Sequence, residues 1–334
     1  MNKQECKKLE NRVLKILERQ IKKNDCVILG LSGGPDSVFL LKMLTKLKEK
    51  TKFKIIAAHV NHLLRGRASE MDEKFARDIA KKSGGEFEMI KKNVDKESKK
   101  AKKGLEETGR EIRYDFFKKL AKKHKASLII TAHHADDNLE TIVMNFARGA
   151  HLKGLYGMEE IEKITNQTKL FRPLLSLTKN DIIEYLKLNK IPYRQDKTNK
   201  DTKYTRNFIR HKIIPELKKL NPNLAKSVAK NTDNIREVYQ YISRTAKEWI
   251  KKNALNKKFT EFMAKEFKKE KRAIKKQILI EIHRIIIGTT KDLKKIHIDE
   301  VLSIIENGLG NKKKKLGKLV IYLKNGIIKI LSNK

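Results

Sequence analysis

The stretch Cys26-Val27-Ile28-Leu29-Gly30-Leu31-Ser32-Gly33-Gly34-Pro35-Asp36-Ser37 limits what this chain can fold into more than any other. Cys26 to Gly30 are apolar or small and read as a buried strand. Two glycines and a proline then force a turn, and Ser37 to Leu44 begins an amphipathic helix. Paired glycines let backbone N–H groups converge without interference from a Cβ, and the helix N-terminus behind them adds positive potential. Ser32 and Ser37 bring hydroxyls suited to phosphate oxygens. A carboxylate in the same turn, Asp36, makes electrostatic sense where a divalent cation lies between it and the phosphates. Ser32, Gly33, Gly34, Pro35, Asp36 and Ser37 are therefore expected to receive the phosphates of a nucleotide, with Mg²⁺ on Asp36.

Other chemistries that share parts of this pattern fit less well. The spacing is not Gly-x₄-Gly-Lys-Ser/Thr, which disfavours a Walker P-loop and ordinary γ-phosphate transfer. Gly30-x-Ser32-x-Gly34 does match a nucleophile elbow on a strand–turn–helix. An α/β-hydrolase, however, places several strands and an oxyanion loop before its elbow. Here only a Lys-rich amphipathic helix precedes it, with Leu9, Val13, Ile16, Leu17 and Ile21 on one face. A plain glycine turn with no ligand would leave Asp36 and both serines unexplained.

A chain of 334 residues has room for two domains with separate cores. Lys and Arg number 79 against 40 Asp and Glu, a formal charge of +39, which points to a polyanion such as nucleic acid. Lys, Ile and Asn are all abundant, so part of that charge is solvated surface. Cys6 and Cys26 are the only cysteines and form no Cys-x-x-Cys pair, which argues against a disulfide scaffold, zinc ribbon, iron–sulfur site or thiol-based sulfur carrier. No apolar leader opens the sequence, and no run approaches the ~20 apolar residues of a membrane span. A cytoplasmic protein without a membrane partner is expected.

Strand and helix patterns alternate after the loop: a strand at Phe53–Val60, a helix at about Glu70–Lys82, a strand at Phe87–Lys91, a charged mobile loop or helix entry at Asp95–Lys103, a long helix to about His124, and a strand at Ser127–Ala132. This predicts an α/β fold with a doubly wound parallel sheet. Ligands of such sheets sit beyond the carboxyl ends of the strands, so Ser32–Ser37, His59–Arg65 and His133–Asp137 should share one crevice. Arg148–Met158 is Gly-rich and reads as a flexible loop over it. Phe171–Leu175 suggests a short strand and Lys179–Asn189 a helix. Leu220-Asn221-Pro222-Asn223 marks a boundary, dividing the chain into 1–219, a catalytic domain, and 220–334, a mainly helical C-terminal domain. In the latter, helices are expected at about Leu224–Lys252 and Phe262–Ile287, and Lys318–Leu323 and Gly326–Leu331 should close a small β-hairpin across Lys324-Asn325-Gly326.

Further chemistry clusters at His133-His134-Ala135-Asp136-Asp137-Asn138-Leu139-Glu140, which opens a helix directly after a strand. His133 and Asp137 share one helical face, as do Asp136 and Glu140. So much acid and imidazole suits a metal site, including that of a two-metal phosphoesterase; N-terminal capping accounts for only part of it. Arg110 and Arg113 lie three apart, placed either to clamp phosphate or stabilise an oxyanion, or simply on a solvated face. Arg194-Gln195-Asp196-Lys197-Thr198-Asn199 and Tyr204-Thr205-Arg206-Asn207-Phe208-Ile209-Arg210-His211 interleave Arg, Asn and aromatic groups in a manner that suits RNA contacts.

Taken together, Ser32-Gly33-Gly34-Pro35-Asp36-Ser37, His59-Val60-Asn61-His62-x-Leu64-Arg65 with Ser69 and Asp72, Arg110-x-x-Arg113-Tyr114, Thr131-Ala132-His133-His134-x-Asp136-Asp137, Arg172-Pro173-Leu174-Leu175 and Arg206-Asn207-x-x-Arg210 resemble one family. It is that of the tRNA(Ile)-lysidine synthetases, within the PP-loop (N-type) ATP pyrophosphatases, and the likeness runs from about Asp25 to Pro222. Asn138 stands where Gln is usual, Gly109 where Ala is, and His151 where a second loop glycine is common.

The resemblance implies a Rossmann-like PP-loop ATPase domain followed by a tRNA-binding domain at 220–334, and a carbon–nitrogen ligase that turns ATP into AMP and pyrophosphate. The substrate implied is the wobble cytidine of CAU-anticodon tRNA(Ile), adenylated at O2 and then attacked by L-lysine to give lysidine. On this reading His59 joins the ATP-binding loop, Asp36 and Asp137 hold Mg²⁺, and Asp36, Arg113, His133 and Asp137 are catalytic. Asp136 and Glu140 receive lysine, Arg206, Asn207 and Arg210 contact tRNA, and a homodimer is allowed. The alternatives are a PP-loop tRNA thiolation enzyme, which the cysteine pattern disfavours, and the metal-dependent phosphoesterase.

Overall fold

Val27, Ile28 and Leu29 are completely enclosed, as a strand covered on both faces requires. In the computed structural model, which describes residues 1–195, 205–290, 293–308 and 312–332, they form β1 (Cys26–Gly30) at the centre of a six-stranded sheet. The other strands are β2 (Lys54–Asn61), β3 (Glu86–Lys91), β4 (Leu128–Ile130), β5 (Ile161–Lys163) and β6 (Lys169–Phe171), in the order β3-β2-β1-β4-β6-β5. All neighbours are parallel except β5, which runs antiparallel to β6. Alternate residues of β1 face opposite layers. Val27 and Leu29 pack with Val13 and Leu17 of the helix Lys3–Gln20, Leu40 and Leu44 of Pro35–Lys50, and Tyr185 of Lys179–Leu188. Ile28 packs with Phe116, Phe117 and Leu120 of Leu105–Lys123. The expected doubly wound α/β sheet is present, and its strand order reverses between β1 and β4, opening the ligand crevice there.

Several elements differ from the sequence-based expectation. Asp95–Lys103 is largely helix (Val94–Ala101), capped by Asn93, whose side chain accepts from Lys96 N at 3.0 Å, and ended by Lys102 at φ +51°. The strand expected at Phe171–Leu175 lies earlier, as β6, and pairs with the unforeseen β5. Gly149–Tyr156 does not stand as a free loop: it belongs with a second compact unit, Thr232–Lys334, where the buried Tyr156 ring lies 5.4 Å from that of Tyr239, with Arg236 over its face. The first unit comprises Met1–Arg148 and Gly157–Asn231, so it runs past 219 into the helix Leu224–Asn253.

The second unit carries β7 (Glu261–Met263), β8 (Lys312–Leu316), β9 (Leu319–Lys324) and β10 (Ile327–Ser332) as an antiparallel sheet ordered β7-β10-β9-β8. The β9–β10 hairpin turns at Asn325 (φ +50°) and Gly326 (φ +71°), as the Asn-Gly pair requires. The helix expected over Phe262–Ile287 is divided instead into β7, Ala264–Lys269 and Arg272–Ile287. A further helix, Lys295–Asn307, covers the sheet with Val301, Leu302 and Ile305. Among the described residues no helix is long and apolar enough to cross a membrane.

Gly30 ends β1 beneath Phe117, and a Cβ there would lie 2.8 Å from the ring's Cζ. Gly30→Ala should therefore cost about 1–3 kcal/mol. Combined with Phe117→Leu, which vacates that space, it should cost less than the sum of the single changes. Urea unfolding of the three variants measures the coupling; strict additivity would show that the ring does not limit β1.

Candidate functional site

The glycine loop is held open by its own hydrogen bonds. Gly33 takes φ +84°, a conformation that favours glycine, and a Cβ on it would meet Phe75 at 3.2 Å. Ser32 Oγ accepts from Gly34 N at 3.3 Å and lies 3.1 Å from Ser37 Oγ, which donates to the Gly34 carbonyl at 3.0 Å. Pro35 begins the helix Pro35–Lys50 and Asp36 follows in its first turn. A later segment braces the loop: Arg194 N donates to the Gly33 carbonyl at 2.9 Å, and its side chain meets Asp72, which also takes Arg65. Of the RNA-like segment around it, residues 196–199 and Tyr204 lie outside the described residues.

His59 is buried under the loop. Its Nδ1 donates to the Leu31 carbonyl at 2.9 Å and its ring stacks on Phe87. Burial pushes its imidazole down despite that hydrogen bond. The side chain thus supports the start of the loop from below.

Beyond β4, His134 caps the helix Ala135–Ala147: its Nδ1 accepts from Asp137 N at 3.4 Å, and Asp137 Oδ2 accepts from His134 N at 3.1 Å. With Nδ1 accepting, a neutral imidazole carries its proton on Nε2. That atom lies 3.8 Å from Asp36 Oδ1 and 3.3 Å from Asp137 Oδ2. Asp36 and Asp137, more than a hundred positions apart in sequence, are thereby brought to one imidazole edge. His133 turns elsewhere, its Nδ1 2.9 Å from Thr131 Oγ1, and burial pushes its pKa down to about 3, which keeps it neutral.

Each acid of the cluster has a cation. Lys179 Nζ donates to both Asp36 oxygens at 2.7 and 2.6 Å. Asp136 accepts from Lys218 Nζ at 2.6 Å and Lys179 N at 2.8 Å. Glu140, 2% exposed, accepts from Arg206 Nε and from Arg210 Nη2, each at 2.8 Å. Arg206 and Arg210 also reach Asp137 Oδ1 at 3.5 and 3.2 Å. Burial alone would raise the Asp137 carboxyl, but His134, His133, Arg206 and Arg210 outweigh it and hold it below the usual carboxylate range. Arg210 lies on a π-helical stretch, Ile209–Ile213, a form that recurs at functional sites. Arg206 and Arg210, read from sequence as RNA contacts, thus stand inside the acid cluster, with Asn207 between them.

On the helix Leu105–Lys123, Arg113 has no hydrogen-bond or ion-pair partner among the described residues, and burial, together with Arg110 and Arg206, pushes its guanidinium down. Arg110 instead covers the Tyr114 ring at 4.6 Å. His62 sits over Gly109, where a Cβ would meet its Cε1 at 3.6 Å, an ordinary contact that an alanine would also make. Asn138 has a tighter reason for its size: its Oδ1 accepts from Met158 N at 2.6 Å and fills the space a Cβ on Gly157 would need.

Sequence reasoning singled out the loop, Arg113 and the acids. It missed His134 as a junction, although its place beside His133 was a signal. It also missed Lys179 and Lys218, for which a chain so rich in lysine offers none. Cys26 opens β1 at the end away from the loop, and burial pushes its thiol up. Among the described residues no three carboxylate, imidazole or thiol groups form a ready-made cation cage.

Residues 5–217 match the PP-loop domain family. The chain is 34% identical over 317 residues to the tRNA(Ile)-lysidine synthase of Clostridioides difficile (strain 630), covering 94% of this chain and 68% of that protein. It is 38% identical over 231 residues to the enzyme of that name from Chlorobaculum tepidum, covering 67% of each. For that of Clostridium tetani the figures are 32% over 291 residues, 87% of this chain and 62% of the relative. The chain thus spans about two thirds of the length of these relatives. A U34-tRNA thiolase structure from Methanococcus maripaludis superposes with a TM-score of 0.59 at 21% identity, covering 69% of this chain and 78% of that one, which is a likeness of fold.

Burial, with the charges of Arg113 and His59, pushes the His62 imidazole down to about 4. The unfolded residue titrates near about 6.5. Its contribution to stability is therefore complete above that value and declines as pH falls towards the folded pKa, by roughly 1.4 kcal/mol per pH unit at most. His62→Gln should flatten this part of the profile in urea unfolding followed from about pH 7 to pH 5. Identical slopes for the two proteins would show that folded His62 titrates normally.

Proposed function

This chain belongs to the tRNA(Ile)-lysidine synthase family of PP-loop proteins, and from that membership we propose that it joins L-lysine to the wobble cytidine of a CAU-anticodon tRNA(Ile) at the expense of ATP. The observation that carries the reading is the convergence of Asp36, from the phosphate loop, and Asp137, from the acid-rich helix, on His134 Nε2. One site thereby pairs a nucleotide-binding turn with groups able to receive a cationic nucleophile.

The chemistry divides into two steps. The cytidine O2 attacks the α-phosphorus of ATP, the bond to the β-phosphate oxygen breaks, and pyrophosphate leaves with the electron pair. The lysine ε-amine then attacks C2, the C2–O bond breaks, AMP leaves, and the amine loses a proton. A carbonyl oxygen is a poor leaving group until it is adenylated, so the order is required. The Ser32–Ser37 turn and the N-terminus of Pro35–Lys50 bind the departing pyrophosphate. Arg113, without a partner among the described residues, offers its charge to the phosphate being transferred. Asp36 and Asp137 would hold Mg²⁺, which would supply charge neutralisation to the phosphates. The donor set fits, provided the Lys179 ammonium yields Asp36. Asp136 orients the substrate lysine by sharing its oxygens with it, while Glu140, enclosed and held by Arg206 and Arg210, fixes those arginines beside it. His133, turned to Thr131 and held at about 3 by burial, is too weak a base for the amine's proton, which passes to water. Arg206 and Arg210 tie the tRNA-facing segment around Asn207 to the acids. A two-metal phosphoesterase would need a richer ligand cluster than the paired acids supply, and a thiolation enzyme a more reactive thiol than Cys26.

Incubated with unmodified CAU-anticodon tRNA(Ile) and labelled lysine, the protein should transfer label to the tRNA only with ATP, releasing AMP and pyrophosphate. Formation of ADP and inorganic phosphate in step with labelling would refute the reaction type. For the second unit we propose that the exposed lysines of β8, Lys312 to Lys315, bind tRNA phosphates. Changing all four to Gln should weaken tRNA binding and make its log–log salt slope shallower by about 0.7–0.9 for each phosphate no longer neutralised. An unchanged slope would mark this strand as solvated surface.

A further inference from the structure

The phosphate turn Ser32-Gly33-Gly34-Pro35-Asp36-Ser37 contains no cationic side chain, yet it is placed to receive a highly charged triphosphate. A cation reaches it from far along the chain. Lys179 opens the helix Lys179–Leu188, whose first turn is fixed by a reciprocal cap: Thr178 N donates to Asp181 Oδ2 at 2.8 Å and Asp181 N to Thr178 Oγ1 at 3.2 Å. Its own N–H is bound to Asp136 Oδ2 at 2.8 Å. The backbone of Lys179 is therefore anchored to the acid cluster while its side chain crosses to Asp36 and gives hydrogen bonds to both oxygens.

That ion pair differs from the Arg–Glu140 pairs beside it. The Lys179 side chain is 40% exposed and that of Asp36 26%, whereas Glu140 is enclosed. Pairs this open contribute little net stability and exchange readily. A lysine ammonium is a compact charge on a flexible stem, able to re-aim without any movement of the backbone. A triphosphate lying over Ser32–Ser37 brings several negative charges next to it, and the carboxylate Lys179 now holds is the one expected to take Mg²⁺.

We propose that Lys179 is the phosphate-binding lysine of this site: its ammonium rests on Asp36 in the free protein and moves onto the β- and γ-phosphates of the nucleoside triphosphate when that carboxylate is engaged by the metal. No proton is transferred; one ammonium exchanges a carboxylate partner for phosphate oxygens. This rests on the reading of the site as an ATP site. The competing role, a counter-ion that merely neutralises Asp36, makes the opposite forecast, because removing it would free the carboxylate and leave Mg²⁺–ATP binding equal or tighter.

Calorimetric titration of the full chain with ATP, inorganic pyrophosphate and AMP, each with Mg²⁺, separates the two. Lys179→Met should weaken ATP and pyrophosphate by about tenfold or more, leave AMP within about twofold, and be largely rescued by Lys179→Arg. Unchanged or tighter ATP binding would overturn the proposal. So would an equal loss for all three ligands, which would mean that the lysine only supports the fold of the site. Should Lys179→Met not fold, Lys179→Gln is judged by the same differences. Failure of the unaltered protein to bind ATP would remove the ATP reading itself and Lys179's role with it, a result distinct from either outcome in the variants.

Discussion

Glu140 is enclosed on the helix Ala135–Ala147, and a carboxylate removed from water stays ionised only if cations and donors come to it. Arg206 and Arg210 come from 66 and 70 positions away. The course of the chain after β6 follows from that demand. Thr205 to Ile213 must return to the acid-bearing helix, and Ile209 and Ile214 then pack on Ala135 and Leu139 in a small apolar cluster. Lys179 and Lys218 come back to the same helix entry through Asp136. Losing one partner of so enclosed a pair leaves a charge stranded, at a cost of about 3–5 kcal/mol, so this wall of the crevice depends on charge pairing as well as on apolar packing.

The pairing also sets the sign of the crevice. Asp36, Asp136, Asp137 and Glu140 are met by Lys179, Lys218, Arg206 and Arg210, so the acids do not repel an incoming phosphate chain. Arg113 is then surplus positive charge, held where burial penalises it. An unpaired guanidinium in such a place gains most from an anion that neutralises it. On the proposed reading, its stabilisation and the loop's N–H groups act in one direction, favouring a phosphate in the crevice.

Local elements were legible wherever their signals are local. The alternation of strand and helix, the strand–glycine turn–helix at Cys26–Ser37 and the Asn325-Gly326 hairpin all follow from side-chain period and turn chemistry. The failures share a cause. Lys312 to Lys315 form an edge strand on β8, but four lysines show no alternation because the strand's outer positions are all solvated. β5 and β7 are three residues each, too short for any periodicity, and exist because a neighbouring strand offers a ladder to join. Gly149–Tyr156 looked free because its anchor, the Tyr156 ring against Tyr239, lies far away in sequence.

The sequence by itself determined the sheet, the phosphate turn, the chemical types at the site and the resemblance to one enzyme family, since each rests on residues within a few positions of one another. Only the tertiary structure decided who pairs with whom. That Asp36 and Asp137 meet at His134, that Arg206 and Arg210 face acids, and that His59 lies under the loop depend on strand order and on which segments return to the crevice. Lys179 and Lys218 are the clearest instance. In a chain carrying +39, one lysine is indistinguishable from the next until the fold sets it within hydrogen-bonding distance of a carboxylate, because Coulombic pairing depends on distance in space and leaves no periodic trace along the chain.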